Sequence, residues 1–442
     1  MKYHIWTVGC QMNVADSRKL GAGLDRAGCT AVDAIGDADL VVLNTCSVRE
    51  HAEDRAIGQL GRLKKMRSKG KAFKIAVMGC MVGVRDDDLR RRFPYVDAFA
   101  RPQDFGPIME IAGIDDSGGE FWPTTFATPD SVTAFVPVIH GCDKFCTYCV
   151  VPYRRGREKS RTIEDIRNEI EHYCARGVRE ITLLGQTVEA YGQDLVVGGW
   201  RLEGGSSHDD LLAAPDLGDL MRAIHDVAGL ERIRFLTSYP KDMTARIIDA
   251  VAELPKVCEH FYFPVQSGDD AVLERMRRGY TLDEYLRKHE MVRARMPDAA
   301  MATDIIVGFC GETDAEFQHT YDLLERLRFD KVHAAAYSPR PGTIAYRTLA
   351  DDVPAEAKQE RLRAIEQLET RVSFEINQKF LDTEQQVLVE SCREGRWSGR
   401  NLPNKLVHFE GDASIGQLVD VRIEHATAWS LQGTALPATV PV

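Results

Sequence analysis

Three cysteines stand close together in the middle of the chain, in the segment from His140 to Arg161. Cys142, Cys146 and Cys149 form a C-x3-C-x2-C motif that is followed by a run of basic residues. Closely spaced thiolates are the usual protein ligands of iron–sulfur clusters. Three ligands leave one iron of a 4Fe–4S cube open to a small molecule. A zinc site with His140 as fourth ligand remains an alternative, although structural zinc favours tighter cysteine pairs.

Strand-like and helix-like segments alternate over residues 1–127, which predicts a parallel sheet with helices on its faces. The carboxyl ends of parallel strands meet at one edge of a sheet, where α/β folds bind ligands. The pattern therefore predicts that three further thiols converge and hold a second cluster with an open iron. Burial as ordinary core cysteines is the alternative. Each of these thiols follows a predicted strand: Cys10 follows Tyr3–Val8, Cys46 follows Asp39–Leu43, and Cys80 follows Lys74–Met78.

The strand–helix alternation resumes at about residue 128. We expect an open, partial (β/α) barrel over residues 128–376, in which chemistry takes place at the carboxyl ends of the strands. Cys142 follows the first of these strands directly. Polar residues at the other strand ends are candidates for holding a cofactor: Gln186, Ser238, Ser267 and Glu312. The predicted strands are Ala134–Ile139, Glu180–Leu184, Arg232–Thr237, His260–Val265, Ala300–Val307 and Lys331–Tyr337.

A charged, helix-patterned segment, Val353–Lys379, precedes four short strand patterns, which predict a small β-barrel over residues 377–440. Small β-barrels bind RNA with basic and stacking aromatic side chains. The net charge of −11 argues against nucleic acid for the chain as a whole. Local basic clusters beside the central cysteines and in this last module nevertheless favour RNA. The candidate RNA-binding residues are Arg154, Arg155, Arg157, Arg161, Arg396, Trp397, Arg400 and Lys405.

We expect a cytoplasmic protein without a membrane partner, and a monomer. No apolar run is long enough to cross a bilayer, and the N-terminus lacks the pattern of a signal peptide. In a reducing compartment, the eleven cysteines indicate metal binding or catalysis rather than disulfides. The cysteines outside the two predicted sets are expected to fill the core: Cys29, Cys174, Cys258, Cys310 and Cys392.

Taken together, these motifs resemble those of the radical S-adenosylmethionine (SAM) methylthiotransferases. The resemblance covers nearly the whole chain, and its six-cysteine pattern is highly specific. The chain departs from the family at Cys310, where proline is more usual, and in a long Gly/Ser-rich insertion at residues 196–214. The motifs are CQMNVADS at 10–17, LNTCSVRE at 43–50, MGC at 78–80, GCDKFCTYCVVPYRRGREKSR at 141–161 and ITLLGQTVEAYG at 181–192.

The resemblance implies an α/β fold with three domains. These are a methylthiotransferase N-terminal domain (1–127), a radical SAM catalytic domain (128–376) and a TRAM-like RNA-binding domain (377–440). It also implies two 4Fe–4S clusters on the six cysteines, and SAM bound at the open iron of the central cluster. Tyr148, the aromatic residue before the last cysteine of the motif, is expected beside SAM. No catalytic residue beyond the cluster ligands is implied.

The activity implied by the resemblance is transfer of a methylthio group to carbon 2 of N6-isopentenyladenosine next to the tRNA anticodon. That C–H bond is unactivated and requires a radical generator. The expected partners are the tRNA anticodon stem-loop, an electron donor such as a flavodoxin or ferredoxin, and a source of sulfur and clusters. Two alternatives stay open. One is a related methylthiotransferase acting on threonylcarbamoyladenosine or a ribosomal-protein aspartate, and the other is a non-catalytic RNA-binding metalloprotein.

Overall fold

The structure is a computed structural model that describes residues 1–47, 50–83, 86–114, 131–195 and 214–437. The predicted domain boundary near residue 127 and residues 196–213 of the predicted insertion lie outside these ranges. Within them the chain forms three units, and the predicted α/β fold class with a terminal β-barrel is confirmed. Among the described helices, none is both long and apolar enough to span a membrane.

The first unit is a parallel sheet of order β2-β1-β3-β4-β5, with helices packed on both faces. Its central strands carry buried aliphatic side chains on both sides, as expected for a parallel sheet covered by helices. The predicted parallel sheet with helices on its faces is therefore confirmed, and the structure adds short elements that include β2, β5 and α4. The elements are β1 (Lys2–Thr7), α1 (Gln11–Arg26), β2 (Thr30–Ala31), β3 (Leu40–Thr45), α2 (Glu50–Ser68), β4 (Lys74–Gly79), α3 (Asp87–Arg92), β5 (Ala98–Ala100) and α4 (Gly106–Ala112).

The second unit is the predicted partial barrel. Its elements are β6 (Thr133–Pro137), β7 (Ile139–His140), α5 (Val151–Arg155), β8 (Lys159–Ser160), α6 (Ile163–Cys174), β9 (Glu180–Leu184), α7 (Leu217–Ile224), β10 (Arg232–Leu236), α8 (Ala245–Glu253), β11 (His260–Tyr262), α9 (Asp270–Arg275), α10 (Leu282–Arg295), β12 (Ala300–Val307), α11 (Asp314–Leu327), β13 (Lys331–Ala336) and α12 (Ile344–Thr348). Two parallel sheets, β10-β9-β6 and β11-β12-β13, meet where Cys258 N donates to Ile233 O at 2.9 Å.

Several helices of this unit begin at residues whose side chains cap the first turn. Thr281 and Thr313 each form a capping box with the glutamate three residues later. Such caps satisfy backbone N–H groups that have no partner inside the helix. The sequence pattern predicts two of the helices of this unit at Ala245–Glu253 and Leu282–Arg295, and the structure has the same bounds.

The third unit is a closed barrel of order β14-β15-β16-β18-β17 that follows a long helix. The sequence predicts four strands in this barrel, and the structure adds a fifth, Arg396–Arg400, whose segment RWSGR shows no regular alternation. Pairing with two neighbours nonetheless makes this segment a strand. A Cβ atom on Gly399 would lie 1.9 Å from Leu388 O, so only glycine allows this close approach. The elements are α13 (Ala355–Gln378), β14 (Glu384–Arg393), β15 (Arg396–Arg400), β16 (Leu406–Glu410), β17 (Leu418–Ala426) and β18 (Ser430–Ala435).

Two buried arginines of β10 hold the C-terminal barrel against the second unit. Arg232 donates to Arg400 O at 2.6 Å, and Arg234 donates to Leu402 O at 2.9 Å. Arg234 also pairs with Glu180 at 3.0 Å, so its charge is balanced although it is buried. Arg232 is the first residue of its strand. The C-terminal barrel therefore covers the amino ends of the strands, opposite the end that Cys142 follows.

Candidate active site

A cavity of about 800 Å³ lies where the carboxyl ends of the strands in the first two units face each other. It is the place where the two predicted cysteine sets come together. A second cavity of about 690 Å³, between the second unit and the C-terminal barrel, has no cysteine in its lining. All six predicted cluster cysteines line the larger cavity: Cys10, Cys46, Cys80, Cys142, Cys146 and Cys149.

Close backbone approaches at the ends of β1, β3 and β4 bring the first three cysteines together. Cys80 N donates to Thr45 O at 2.9 Å, so the residues that follow β3 and β4 stay paired past the strands. A Cβ atom on Gly9 would lie 2.8 Å from the Cβ of Cys46, and Gly9 has φ +138°. Glycine before Cys10 therefore lets the first cysteine loop pass directly over the second.

A buried network of asparagine side chains lies beneath Cys10 and Cys46. Asn13 Nδ2 donates to Asn44 Oδ1 at 2.9 Å and to Thr45 O at 2.8 Å. Asn44 Nδ2 donates back to Asn13 O at 2.7 Å. Cys10 Sγ donates to Asn13 Oδ1 at 3.3 Å. The hydrogen bonds of these amides hold the loops that carry Cys10 and Cys46 in place. This is a structural reason for the asparagine in each of the motifs CQMN and LNTC.

An Asn13→Ala variant is expected to lower both the melting temperature and the iron content of the reconstituted protein. The substitution removes the Asn13 donor from the buried Asn44 Oδ1, at a cost of about 1–3 kcal/mol for the unpaired group. Thr45 O loses one of its two donors and keeps Cys80 N. Differential scanning calorimetry and iron analysis measure the two effects. Gln318→Ala, which removes an amide bonded only within α11, is the control. Equal melting temperatures for the two variants would contradict the assigned role.

Arg155 joins the first two units beside the cysteines. Its guanidinium forms an ion pair with Asp16 at 2.9 Å, and the two side chains are 2% and 3% exposed. Arg155 Nη2 also approaches Asn13 Oδ1 at 3.4 Å, so the asparagine network extends into the second unit. Although burial alone would lower it, Asp16 and the nearby cysteine thiols raise the pKa of Arg155 above its usual value. This residue was predicted to contact RNA, but the structure places it inside the protein.

The central cysteine loop is held by contacts that reach far along the chain. Gly141 has φ +76°, and a Cβ atom there would lie 1.9 Å from Arg157 O, so glycine is required before Cys142. Thr147 donates its hydroxyl to Arg275 O at 2.8 Å and its N–H to Met276 O at 3.0 Å. The loop is thereby anchored to α9 and the residue that follows it.

Arg278 is a buried residue at this loop that the sequence analysis did not identify. Its Nη1 approaches Cys146 Sγ and the Tyr148 hydroxyl, both at 3.3 Å. Its Nε donates to the Tyr280 hydroxyl at 3.0 Å, and its Nη2 donates to Pro264 O at 3.2 Å. The only local signal is an arginine next to Gly279 and Tyr280, and such a pattern does not distinguish a site residue from a surface one.

Burial raises the pKa of the cysteine thiols in the cavity. The pKa of Cys80 rises to about 11 and that of Cys142 to about 12, in each case chiefly through desolvation, with a further contribution from neighbouring cysteines. Burial likewise raises the pKa of Cys149. A buried thiolate requires a cation as its partner, which a metal cluster on these cysteines would supply. Metal binding there would therefore release the thiol protons.

The structure separates the predicted cofactor residues into two groups. Tyr148, Gln186 and Ser238 line the cavity, and Gln186 Oε1 is buried without a hydrogen-bond partner among the described residues. Ser267 and Glu312 do not line it. Ser267 Oγ lies 3.3 Å from Thr320 Oγ1, and Glu312 accepts from Arg361 at 2.7 Å. These two side chains support the strand-end loops rather than face the cavity.

The predicted RNA-binding residues of the second unit also have different surroundings. Arg161 is buried and forms an ion pair with Glu169. Arg154 is half-buried in α5. Arg157 is 73% exposed and pairs with Asp143 at 2.8 Å. Of the arginines considered in this unit, Arg157 is therefore the one whose side chain is well placed to meet RNA, whereas Arg155 and Arg161 are engaged inside the protein.

In the C-terminal barrel the predicted RNA-binding residues lie on β15 or, for Lys405, directly before β16. Arg396 is exposed and donates to Gln432 Oε1 at 2.8 Å, while Trp397 donates its indole N–H to Gly411 O at 2.9 Å. Arg400 remains partly exposed and donates to Asn404 O at 3.0 Å. Lys405 instead forms a largely buried ion pair with Asp330 at 2.8 Å, which ties the barrel to the second unit.

The geometry disfavours the zinc alternative. His140, the candidate fourth ligand, contacts Gln103 of the first unit through Nδ1 and is not part of the cavity lining. Within the described ranges, no group of three His, Cys, Asp or Glu side chains is arranged to hold a single metal ion.

The other cysteines stay away from the cavity. Cys310 is buried among apolar residues beside Phe309 and Tyr337. Cys174 and Cys258 are buried, Cys29 is half-buried and Cys392 is exposed. Cys174, Cys258 and Cys310 therefore fill the core as predicted, whereas the prediction is wrong for Cys392, which lies exposed near the end of β14.

Comparison with protein families agrees with the three units. Residues 136–324 match the radical SAM superfamily, residues 2–100 match the uncharacterized protein family UPF0004, and residues 379–436 match the TRAM domain. The second unit is therefore a radical SAM domain and the third a TRAM domain. Membership of the radical SAM superfamily confirms the predicted cofactors, SAM and 4Fe–4S clusters.

Curated relatives match almost the entire chain. Each of three is named tRNA-2-methylthio-N(6)-dimethylallyladenosine synthase. The protein of Dehalococcoides mccartyi strain CBDB1 is 44% identical over 97% of both chains. That of Herpetosiphon aurantiacus is 40% identical over 100% of this chain and 99% of its own, and that of Roseiflexus sp. strain RS-1 is 43% identical over 98% and 89%. The chain belongs to the tRNA-2-methylthio-N(6)-dimethylallyladenosine synthase family.

Solved structures share the fold. The radical SAM methyltransferase TsrM from Kitasatospora setae, with cobalamin and a 4Fe–4S cluster bound, aligns with a TM-score of 0.55 at 14% identity and covers 78% of this chain and 77% of its own. The cobalamin-dependent SAM radical enzyme OxsB aligns with a TM-score of 0.51 at 12% identity and covers 83% of this chain and 56% of its own. At such low identity these likenesses establish the fold alone.

Proposed function

We propose that this chain is a radical SAM methylthiotransferase that converts N6-isopentenyladenosine next to the tRNA anticodon into its 2-methylthio derivative. The observation that carries the proposal is that six cysteines from two units line one cavity. Relatives that are 40–44% identical over nearly the full chain bear the name of this activity. A shared cavity is what the reaction needs, because the radical and the sulfur must reach the same carbon.

The six cysteines divide into two ligand sets by unit. Cys142, Cys146 and Cys149 would hold the cluster that binds SAM, and Cys10, Cys46 and Cys80 would hold the auxiliary cluster. The donor chemistry fits, because cysteine thiolates are the usual ligands of iron–sulfur clusters and each set leaves one iron open. When bound, these groups supply reductive cleavage of SAM to a 5′-deoxyadenosyl radical and a methylthio group for transfer.

Residues of the chain position the reactants and keep the cavity organised. Gln186 and Ser238 offer polar groups to SAM at the ends of β9 and β10. Lys144 lines the same cavity and pairs with Asp242 at 2.6 Å, which holds its ammonium group in place. Arg278 donates to the Tyr148 hydroxyl, so the aromatic ring beside the cysteine loop has a defined position.

We assign tRNA contact to Arg157 and to Arg396, Trp397 and Arg400 on the C-terminal barrel. The guanidinium groups would bind phosphate, and the indole offers a stacking surface. The barrel covers the amino ends of the strands, whereas the cysteine cavity is at the carboxyl ends. A tRNA that uses both surfaces would therefore extend along the side of the second unit.

The remaining partners follow from the chemistry. Reductive cleavage of SAM requires a one-electron donor such as a flavodoxin or ferredoxin, and repeated turnover requires a source of sulfur and clusters. We place the protein in the cytoplasm, where its tRNA substrate is found, and expect it to act as a monomer.

Anaerobically reconstituted protein tests the proposal through its iron and sulfide content and its EPR spectrum. We expect about eight irons per chain, as two 4Fe–4S clusters require, and about four in the Cys142→Ala/Cys146→Ala/Cys149→Ala triple variant. Only the wild-type protein should methylthiolate an isopentenylated anticodon stem-loop, as detected by mass spectrometry of the nucleosides. Wild-type protein that contains only four irons per chain, or zinc in place of iron, would contradict the mechanism. Reaction only with a threonylcarbamoyladenosine RNA or a ribosomal protein would contradict the substrate.

A further inference from the structure

Three polar side chains from adjacent strands line the cavity. None of them has a role in the function proposed above. They are Tyr262 of β11, Asp304 of β12 and His333 of β13, which we call the floor cluster. Asp304 and His333 are paired in register, and Tyr262 donates its hydroxyl to Asp304 Oδ1. The rings of Tyr262 and His333 lie 5.5 Å apart at 35°. The three side chains therefore form one connected group.

The floor cluster lies deeper than the groups assigned to the iron–sulfur clusters and SAM. Gln186, Ser238 and the cysteines occupy the loops that follow strands, at the rim of the cavity. Asp304 and His333 instead lie inside β12 and β13, three residues before those strands end at Val307 and Ala336. Their side chains are half-buried and face the cavity.

The chemistry of the floor cluster suits a heteroaromatic base that carries an N–H donor. The Asp304 carboxylate accepts hydrogen bonds, while a phenol and an imidazole provide flat surfaces and further polar atoms. Proteins recognise unpaired bases by stacking on such rings and by hydrogen bonds to the base edges. Adenine with a single N6 substituent keeps one N6–H, so it fits this description. An adenine nucleoside is present both in SAM and in the proposed RNA substrate.

The depth of the floor cluster decides between these two sources. SAM bound at a cluster on Cys142, Cys146 and Cys149 would be anchored at the rim, where Gln186 and Ser238 also lie in loops that follow strands. A target base enters the same cavity from the RNA and can extend past SAM. We propose that the floor cluster binds the adenine of the target nucleotide, with Asp304 accepting the N6–H, so that carbon 2 is turned away from the floor.

This inference rests on the proposed function and adds the group that recognises the reacting base. The nucleotide must leave the anticodon loop to enter the cavity, as happens in other enzymes that act on a base. In a loop the base is unpaired, so the energetic cost of this movement is small. Asp304 then distinguishes a base with an N6–H from one without it.

The test compares two nearly isosteric variants, Asp304→Asn and Tyr262→Phe, with the control Asp249→Asn. Asp249 lies on the exposed face of α8 and pairs with Arg295 at 3.1 Å, far from the cavity lining. Three quantities are measured on reconstituted proteins of equal iron content. They are SAM cleavage without RNA, the Kd of a stem-loop RNA carrying N6-isopentenyladenosine, and the KM and kcat for its methylthiolation.

We expect Asp304→Asn to raise the Kd and KM of the RNA roughly tenfold to a hundredfold, as for loss of a charged hydrogen bond. RNA-free SAM cleavage should match that of the control. A second RNA, carrying N6-methyl-N6-isopentenyladenosine, removes the N6–H from the base. The wild-type protein should bind this second RNA more weakly than the first, by a similar factor. The Asp304→Asn variant should bind the second RNA almost as well as it binds the first. Tyr262→Phe, which removes only the hydroxyl donated to Asp304, should give a smaller effect of the same kind.

Two outcomes would overturn the inference. If SAM cleavage without RNA falls by the same factor as the RNA reaction, the floor cluster serves the adenosine of SAM. If Asp304→Asn matches Asp249→Asn in every quantity, the cluster has no part in recognition. Absence of wild-type methylthiolation would instead count against the proposed function, and the Kd values of the two RNAs would still decide whether Asp304 contacts the base.

Discussion

An Arg155→Met variant should lose about 3–5 kcal/mol in the free energy of unfolding, because it leaves the Asp16 carboxylate buried without its partner. The Arg155–Asp16 pair lies between the first two units, so these units should also separate more easily. RNA-free SAM cleavage should persist, since its cysteines belong to the second unit alone. Methylthiolation should fall by roughly a hundredfold or more, because misplacement of positioned groups by about 1 Å costs that much.

Urea unfolding and parallel assays of the two activities measure these effects. Arg157→Met is the matched control, since Arg157 lies two residues away with its side chain 73% exposed. The double variant Arg155→Met/Asp16→Asn should recover part of the stability, because it removes the unpaired charge. If Arg155→Met were no less stable than Arg157→Met, the ion pair would have no role in joining the units.

Replacement of Arg278 by methionine should make the SAM-binding cluster harder to reduce. Arg278 Nη1 lies 3.3 Å from Cys146 Sγ, and hydrogen bonds to ligand sulfur are among the factors that set cluster potentials. Loss of a positive, donating group favours the oxidised state, so the midpoint potential should become more negative. The substitution also leaves Pro264 O without the guanidinium and the Tyr148 ring less constrained. We therefore expect RNA-free SAM cleavage to fall by roughly tenfold or more.

Redox titration followed by EPR, together with 5′-deoxyadenosine formation, measures this prediction. Arg277→Met serves as the control, because Arg277 is exposed and adjacent in sequence. Iron content shows whether the cluster is still assembled in the variant. A midpoint potential equal to that of the control, in protein with full iron content, would exclude an electrostatic role for Arg278.

The candidate RNA residues show where sequence-based inference failed. A run of arginines after the cysteine motif was interpreted as one basic surface. The structure places Arg155 and Arg161 in buried ion pairs and leaves Arg157 exposed. Arginine spacing along a chain does not reveal which guanidinium has a carboxylate partner, because those partners come from other elements.

Sequence alone determined the elements of the cysteine site. Hydrophobic patterning located β1, β3 and β4, and the rule that parallel strands share an edge placed Cys10, Cys46 and Cys80 together. The structure agrees, because these contacts depend on local periodicity and on the order of neighbouring strands. The same reasoning located Cys142 after the first predicted strand of the barrel.

Tertiary structure decided what surrounds those cysteines. Arg278 is separated from Cys146 by 132 residues, and Arg155 from Asp16 by 139. Asp304 and Tyr262 also come together only because β11 and β12 are neighbours in one sheet. Periodicity reports which face of an element is buried, whereas the pairing of polar side chains depends on how distant elements pack. For that reason the convergence of the cysteines could be predicted from the sequence, whereas the buried arginines beside them and the side chains at the cavity floor could not.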